Sequence, residues 1–181
     1  MRKEVTVQDK YIIGIDLGLT GAWALFRLVD NKIEFISVID LPVKDGSIDV
    51  LTLAEFFYSL FSDGLSYKIL IEKVHAMPQN GSKSSFSMGR TLGCIESIIK
   101  LSSLLNLSDV SCEFINPVKW KKEVGLPKGA AKELSISLAK NLFPDSSKFL
   151  TRKKDHNRAE AILIGYYGFL ETLREAENVK T

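Results

Sequence analysis

Apolar and polar positions alternate in short segments along the first part of the chain. Residues 11–15, YIIGI, are too few and too rich in β-branched side chains for a helix, so they predict a central strand. Two glycines after Asp16 predict a tight turn, and residues 22–29 predict a second strand that completes a hairpin. A third strand is predicted over residues 32–43, after an Asp-Asn turn. The chain therefore opens with three sequential strands.

Helical and strand patterns alternate from residue 49 onward. Residues 49–63 carry apolar side chains at helical spacing, and Asp49 is suited to cap that helix. The later segments are a buried strand ending at Glu72, a polar loop, a long helix from about 86 to 105, a strand over 112–117, helical sequence broken at 125–127 and at Pro144, and a last helix from about 158 to 177. Three strands followed by alternation predict an α/β, ribonuclease H-like fold, with a mixed five-strand sheet flanked by helices.

Length and composition are typical of one globular domain. With 181 residues, 45% of them hydrophobic, we expect a single domain over 11–181 and a flexible N-terminal arm over 1–10. A transmembrane helix or a signal peptide is not expected, because long apolar runs are lacking. Cys94 and Cys112 lack metal-ligand spacing and are expected to be reduced thiols, which favours an intracellular location.

Charge is unevenly distributed although the net charge is only +2. Residues 117–154 contain ten Lys or Arg and three acids, which gives this segment a charge of +7 and leaves −5 for the rest of the chain. A local excess of this size predicts a polyanionic partner such as DNA. An ordinary solvated surface is the alternative.

Two acids end predicted core strands. Asp16 follows the first strand and Glu72 ends the fourth, and open α/β sheets place their functional sites at such carboxyl ends. Burial of a carboxylate at these positions is costly unless a positive charge compensates it. A metal ion, or a phosphate-binding loop that also uses a metal, would supply that charge.

A second pair of acids stands at the start of the last predicted helix. Five helical residues turn through roughly 500°, so Asp155 and Glu160 face one site only if Asp155 lies at or before the helix cap. Asp155 as a simple N-cap and Glu160 as a surface residue are the alternatives. His156 would share a face with Glu160 if both are helical. Together the four acids favour two divalent metal ions on oxygen ligands.

Three motifs in this order resemble those of a known family. The stretches IGIDLGLTGAWAL, ILIEKVHAMPQNGSKSSFSMGRTLG and DHNRAEAILIGYYG resemble the acidic motifs of RuvC-type Holliday-junction resolvases, closest to the phage and organellar branches. The resemblance runs from Tyr11 to Gly168. It implies a metal-dependent, structure-selective DNA endonuclease that cuts four-way junctions symmetrically as a homodimer, using two Mg²⁺ or Mn²⁺ ions, with no membrane partner.

The resemblance also implies roles for individual residues. Asp16 and Glu72 correspond to the family's first two metal-binding acids. The family's last two acids are usually three residues apart, but Asn157 stands three residues before Glu160. We expect Asp155 to replace the missing acid, with His156 as the reserve ligand.

Several cationic and polar residues are expected to serve catalysis or DNA binding. Lys154 is expected to assist the reaction, although it and Lys153 are equally suited to phosphate contacts. Trp120 is expected either to contact DNA or to anchor the core. Gly89 and Gly93 are expected to allow close packing of their helix, either on the hairpin sheet or across a dimer. The expected DNA-binding residues are Gln79, Asn80 and Lys83 after Glu72, and Lys119, Lys121, Lys122, Lys128, Arg152 and Lys153 in the basic segment.

Other functions remain open at the level of sequence. The stretch GIDLGLTGA also resembles the phosphate loop of Hsp70 and sugar-kinase ATPases, but those enzymes need a second domain of similar fold. A non-catalytic DNA-binding module would keep the fold without the reaction. A nuclease acting on flaps or on RNA-DNA hybrids is the alternative within the enzymes.

Overall fold

Five strands form one mixed sheet in the computed structural model, which describes residues 10–73, 81–105 and 108–178. The strands stand in the order β3-β2-β1-β6-β7; β1, β2 and β3 pair antiparallel, whereas β1, β6 and β7 pair parallel. Their bounds are β1 Lys10–Asp16, β2 Ala22–Val29, β3 Lys32–Asp40, β6 Ser66–Glu72 and β7 Asp109–Ile115. The predicted mixed five-strand sheet is confirmed, and most of the predicted N-terminal arm lies outside the described residues.

Helices cover the sheet. Their bounds are α1 Val50–Phe61, α2 Ser82–Leu104, α3 Pro117–Glu123, α4 Lys132–Leu142 and α5 His156–Asn178, with two 3-10 helices at Pro144–Phe149 and Lys153–Asp155. The Asp49 side chain accepts a hydrogen bond from the backbone N–H of Thr52, so the predicted cap of α1 is confirmed. The side chain of Asn116 caps α3 in the same way through the N–H of Val118.

Several predicted boundaries differ from the structure. The strand predicted over 112–117 is β7 Asp109–Ile115. The third strand ends at Asp40 rather than at residue 43, and the chain then forms a short two-stranded hairpin, β4 Val43–Lys44 and β5 Ser47–Ile48. Its turn residues, Asp45 and Gly46, adopt positive φ angles, which a continuous strand does not allow. The helices α2 and α5 each begin before their first periodic apolar residue, because polar side chains form their first turns.

The two faces of the sheet carry separate apolar clusters. Alternation along β1 places Ile13 and Ile15 in the cluster that includes residues of α1 and α2. Ile12 lies in the other cluster, together with residues of α3, α4 and α5. A β-carbon built on Gly14 would lie 2.3 Å from the backbone nitrogen of Gly165 in α5, so α5 packs directly on the central strand.

Several residues left open by the sequence are resolved by the fold. Trp120 is 0% exposed and belongs to the core, so it is not a surface for stacking on DNA. Beyond its own helix, a β-carbon on Gly89 or Gly93 would meet no atom of the described part of the chain within 4 Å, so close packing on the sheet does not explain these glycines. Both cysteines are free. Among the described residues, no helix has the length and apolar character needed to cross a membrane.

Candidate active site

Asp16 and Glu72 meet at one edge of the sheet. The strands β1 and β6 are parallel neighbours with Ile15 paired to Ile71, so both strands end in an acid at the next position. Ile15 and Ile71 face the cluster on the α1 and α2 side. Because side chains alternate along a strand, the two acids point to the opposite face, which α5 covers. Asp16 and Glu72 thus stand side by side at the ends of adjacent parallel strands.

Glu160 reaches these acids from α5. It lies in the second turn of the helix, and its carboxylate is one of the charges that act on both Asp16 and Glu72. Three residues earlier on the same face, the Asn157 amide donates hydrogen bonds to the carbonyl and hydroxyl oxygens of Thr20, at 2.6 and 2.8 Å. Asn157 thus ties the start of α5 to the loop that follows Asp16.

Two neighbouring residues of α3 contact the acids. The indole Nε1 of Trp120 donates a hydrogen bond to Oε2 of Glu72 at 2.8 Å. The ammonium of Lys121 lies 3.0 Å from Oε2 of Glu160 and 4.0 Å from Oε2 of Glu72. The position of α3 explains these contacts, since Glu72 pairs with Ile115 at the end of β7, and α3 starts two residues later.

Burial and mutual repulsion control the charge of the acids. Burial, followed by the charges of Glu160 and Glu72, holds the pKa of Asp16 well above its usual value. Burial also raises the pKa of Glu72, against the opposing effects of Lys121 and of the Trp120 hydrogen bond. Burial lowers the pKa of Lys121, but its acidic neighbours, led by Glu160, outweigh this effect and raise the pKa overall. The site therefore favours additional positive charge.

The types of donor in this cluster suit a hard divalent cation. All three acids offer carboxylate oxygens, which Mg²⁺ prefers over nitrogen or sulfur ligands. In the described part of the chain, however, no three His, Cys, Asp or Glu side chains are grouped closely enough to hold a metal ion together. The Lys121 ammonium provides the countercharge between Glu72 and Glu160 in this arrangement.

Asp155 is not brought to the other acids. It is 2% exposed, and its two oxygens accept hydrogen bonds from the backbone N–H and the guanidinium of Arg152, at 2.7 to 2.9 Å. Burial acts to raise the pKa of Asp155, but the hydrogen bonds from Arg152 outweigh it and lower the pKa. These bonds tie Asp155 to the 3-10 turn before α5, and among the described hydrogen bonds none makes it the N-cap that was the alternative. The predicted role of Asp155 as a ligand is therefore not supported by its contacts.

The lysine at the acids is Lys121, not Lys154. Lys154 and Lys153 are exposed, and the ammonium of Lys153 lies 4.0 Å from Oε1 of Glu133. Sequence reasoning assigned Lys121 only to DNA binding. The signal that could have identified it is the short spacing from the end of β7, which places the second turn of the following helix beside Glu72.

The expected DNA-binding residues fall into three groups. Lys119 is paired with Glu171 at 2.9 Å, and Arg152 with Asp155, so their charges are already partly balanced. Gln79 and Asn80 lie outside the described residues. Of the remaining members, Lys121, Lys122 and Lys128 border one cleft, Lys83 borders another, and Lys153 is exposed outside both.

The first cleft adjoins the acids directly. It has a volume of about 420 Å³ and is formed by α3 and the turn after it, with apolar walls from Val118, Leu126 and Pro127. Lys121, Lys122 and Lys128 also line it. The second cleft, about 760 Å³, lies between the loop after Asp16, the β4–β5 hairpin and the start of α2. The first cleft thus shares Lys121 with the acidic cluster, and the second includes the loop that follows Asp16.

Comparison with known proteins supports the resemblance seen in the motifs. No family model matches the chain. Over 46 residues, 25% of this chain, it is 44% identical to the chloroplastic Holliday junction resolvase MOC1 of Chlamydomonas reinhardtii; the match spans 5% of that protein's length.

Solved structures share the fold over nearly the whole chain. Thermus thermophilus RuvC matches with a TM-score of 0.60 and 16% identity, covering 90% of this chain and 96% of RuvC. The T. thermophilus RuvC complex with a Holliday junction substrate matches with a TM-score of 0.58 and 14% identity, covering 91% of this chain and 96% of that RuvC chain. The yeast mitochondrial Holliday junction resolvase Ydc2 matches with a TM-score of 0.57 and 13% identity, covering 93% of this chain and 83% of Ydc2. These likenesses confirm the predicted ribonuclease H-like fold.

Proposed function

We propose that this chain is a RuvC-type Holliday junction resolvase, a metal-dependent endonuclease that cuts four-way DNA junctions by paired phosphodiester hydrolysis. The observation that carries the proposal is the convergence of Asp16, Glu72 and Glu160 beside Lys121. The shared fold and the partial match to a chloroplastic resolvase support the choice of substrate. Junction DNA as the substrate implies an intracellular location.

We assign the metal-binding role to Asp16, Glu72 and Glu160. Two Mg²⁺ ions, or Mn²⁺ in their place, would supply an activated water and positive charge for the phosphate oxygens when bound. Asp155 instead fixes the start of α5, on which Glu160 is carried. His156 remains the reserve ligand; its Nδ1 is buried and has no hydrogen-bond partner within the described ranges.

The chain's own residues have separate tasks in this proposal. Lys121 is the cation nearest the acids and is suited to contact the phosphate that is cut. Lys122 and Lys128, along the apolar cleft beside it, are suited to neighbouring phosphates of the same strand. The hydrogen bonds from Asn157 hold the loop after Asp16 against α5.

A homodimer would supply two equivalent sites for two symmetric cuts. The helix α2 is the proposed contact. Gly89 and Gly93 on it leave open space beside the backbone, and Leu101 and Leu104 are exposed apolar residues further along. A partner helix packed there would cover this apolar surface.

Cleavage of defined substrates tests the function. Wild-type protein with Mg²⁺ is expected to make paired incisions in a four-way junction and to cut flaps, RNA-DNA hybrids and linear duplex far more slowly. Asp16→Asn and Glu72→Gln are expected to abolish cleavage but to retain junction binding. As a matched acid, Asp155→Asn is expected to lower stability by about 1–3 kcal/mol, the usual range when a buried group loses a charged hydrogen-bond partner, yet to keep cleavage and its metal dependence.

Each other outcome points to another function. Preferred cutting of flaps or hybrids would identify a related nuclease. Tight junction binding with no cleavage of any substrate would identify a non-catalytic DNA-binding module.

A further inference from the structure

The buried indole of Trp120 contacts one specific oxygen of Glu72. Nε1 donates to Oε2 at 2.8 Å, and Lys121 also approaches Glu72 at Oε2. No hydrogen bond from any described residue reaches the other oxygen, Oε1. Within the described residues, the carboxylate is thus held by its Oε2 alone.

The position of Trp120 is fixed by its surroundings. Its side chain is 0% exposed and belongs to the apolar cluster between the sheet and α5. Its backbone N–H donates to the carbonyl of Asn116, the capping residue of α3, at 3.0 Å. A buried indole N–H requires an acceptor, and Glu72 is the acceptor here. The ring therefore cannot turn away without leaving that N–H unpaired.

The two α3 contacts differ in what they do to the acids. Lys121 brings a full positive charge, which competes with any cation that the acids would bind. Trp120 is neutral, so it orients Glu72 without cancelling its negative charge. Partners of this kind, beyond the direct ligands, set the orientation of metal-binding side chains.

We propose that Trp120 is a positioning residue that holds Glu72 with Oε1 presented to a divalent metal ion. The inference rests on the proposed metal-binding role of Glu72. It predicts that loss of the indole N–H weakens metal binding without altering the contacts of the chain with DNA.

The test is Mn²⁺ binding to Trp120→Phe, measured without DNA by electron paramagnetic resonance of the free ion. Phenylalanine keeps an aromatic ring but has no N–H. We expect the Kd for Mn²⁺ to rise about 10- to 100-fold, the usual effect of removing such a partner. Junction binding in EDTA is expected to be unchanged, and cleavage is expected to recover at high Mn²⁺.

Trp23→Phe is the matched control. Trp23 is equally buried, at 1% exposure, but it packs against Phe56 and Phe57 on the opposite face of the sheet. We expect it to lose stability comparably and to keep the wild-type Kd for Mn²⁺. An unchanged Kd in Trp120→Phe, or an equal rise in both variants, would overturn the proposal.

A tryptophan analogue removes the donor even if Trp120→Phe does not fold. The sequence contains two tryptophans, so in the Trp23→Phe background Trp120 is the one that remains. Its replacement by benzothienylalanine, in which sulfur stands in place of the N–H, keeps the ring shape. Weaker Mn²⁺ binding by this protein would support the proposal, and an unchanged Kd would refute it. This readout requires no cleavage, so it can fail independently of the proposed nuclease activity.

Discussion

Gly14→Ala should destabilise the protein strongly, because the central strand and α5 touch at that position. The added methyl would lie 2.3 Å from the Ala161 carbonyl oxygen and from the Gly165 nitrogen, and 2.9 Å from the Gly165 α-carbon. All three are backbone atoms, so no side chain can rotate to make room. Since β1 is paired on both sides, α5 would have to move outward by about 1 Å to restore ordinary contact.

Such overpacking usually costs about 1–3 kcal/mol, and we expect the upper end of that range here. Urea unfolding should show a lower midpoint with an unchanged slope, as for a pure loss of stability. The same displacement would carry Glu160 away from Asp16, so Mn²⁺ binding should weaken as well.

Gly81→Ala is the matched control for this prediction. Apart from its chain neighbours, its methyl would meet no atom of the described residues within 4 Å, and we expect a change within about 0.5 kcal/mol. A Gly14→Ala protein as stable as the Gly81→Ala protein would refute the direct packing of α5 on β1.

Three further predictions concern charge and assembly. Burial and neighbouring acids raise the pKa of Asp16, so its contribution to metal-free stability should be greatest below the ordinary carboxyl pKa and be lost as pH rises through the raised value. In thermal melts from pH 4 to 8, Asp16→Asn should therefore gain stability relative to wild type as pH rises and be the more stable protein at neutral pH. Lys122→Gln with Lys128→Gln should make the slope of log affinity for junction arms against log salt less negative by about 0.9 per lost phosphate contact, whereas the paired Lys119→Gln should leave it nearly unchanged. Gly93→Leu should shift the dimer toward monomer in sedimentation and favour single nicks over paired cuts; an undiminished dimer would place the contact elsewhere.

The acids at the strand ends could be predicted from sequence because their signal is local. An apolar run followed by an acid marks both Asp16 and Glu72, and parallel pairing then brings them together. The cap of α1 at Asp49 is equally local. Glu160 required one further step, the resemblance of DHNRAEAILIGYYG to an acidic motif, because an acid on a helix is by itself equally suited to the surface.

The errors concern side-chain contacts that depend on tertiary packing. Lys154 and Lys121 are both lysines in the basic segment, and only the placement of α3 against β6 brings Lys121 to the acids. Asp155 precedes α5 as expected, but Arg152, three residues earlier, binds both of its oxygens. The predicted loop contacts at Gln79 and Asn80 lie outside the described residues and remain predictions.

The Lys121 ammonium between Glu72 and Glu160 would couple the binding of a metal ion to the binding of DNA. While Lys121 pairs with these acids, its charge offsets part of their repulsion, and the same ammonium is not available to a phosphate. Cation binding by the acids would release Lys121, and a released Lys121 would be available for a phosphate in the adjoining cleft. Metal and DNA would then each increase the affinity for the other by the same factor, as thermodynamic reciprocity demands. The proposed nuclease would then bind the phosphate at its site most tightly when its metal ions are already bound.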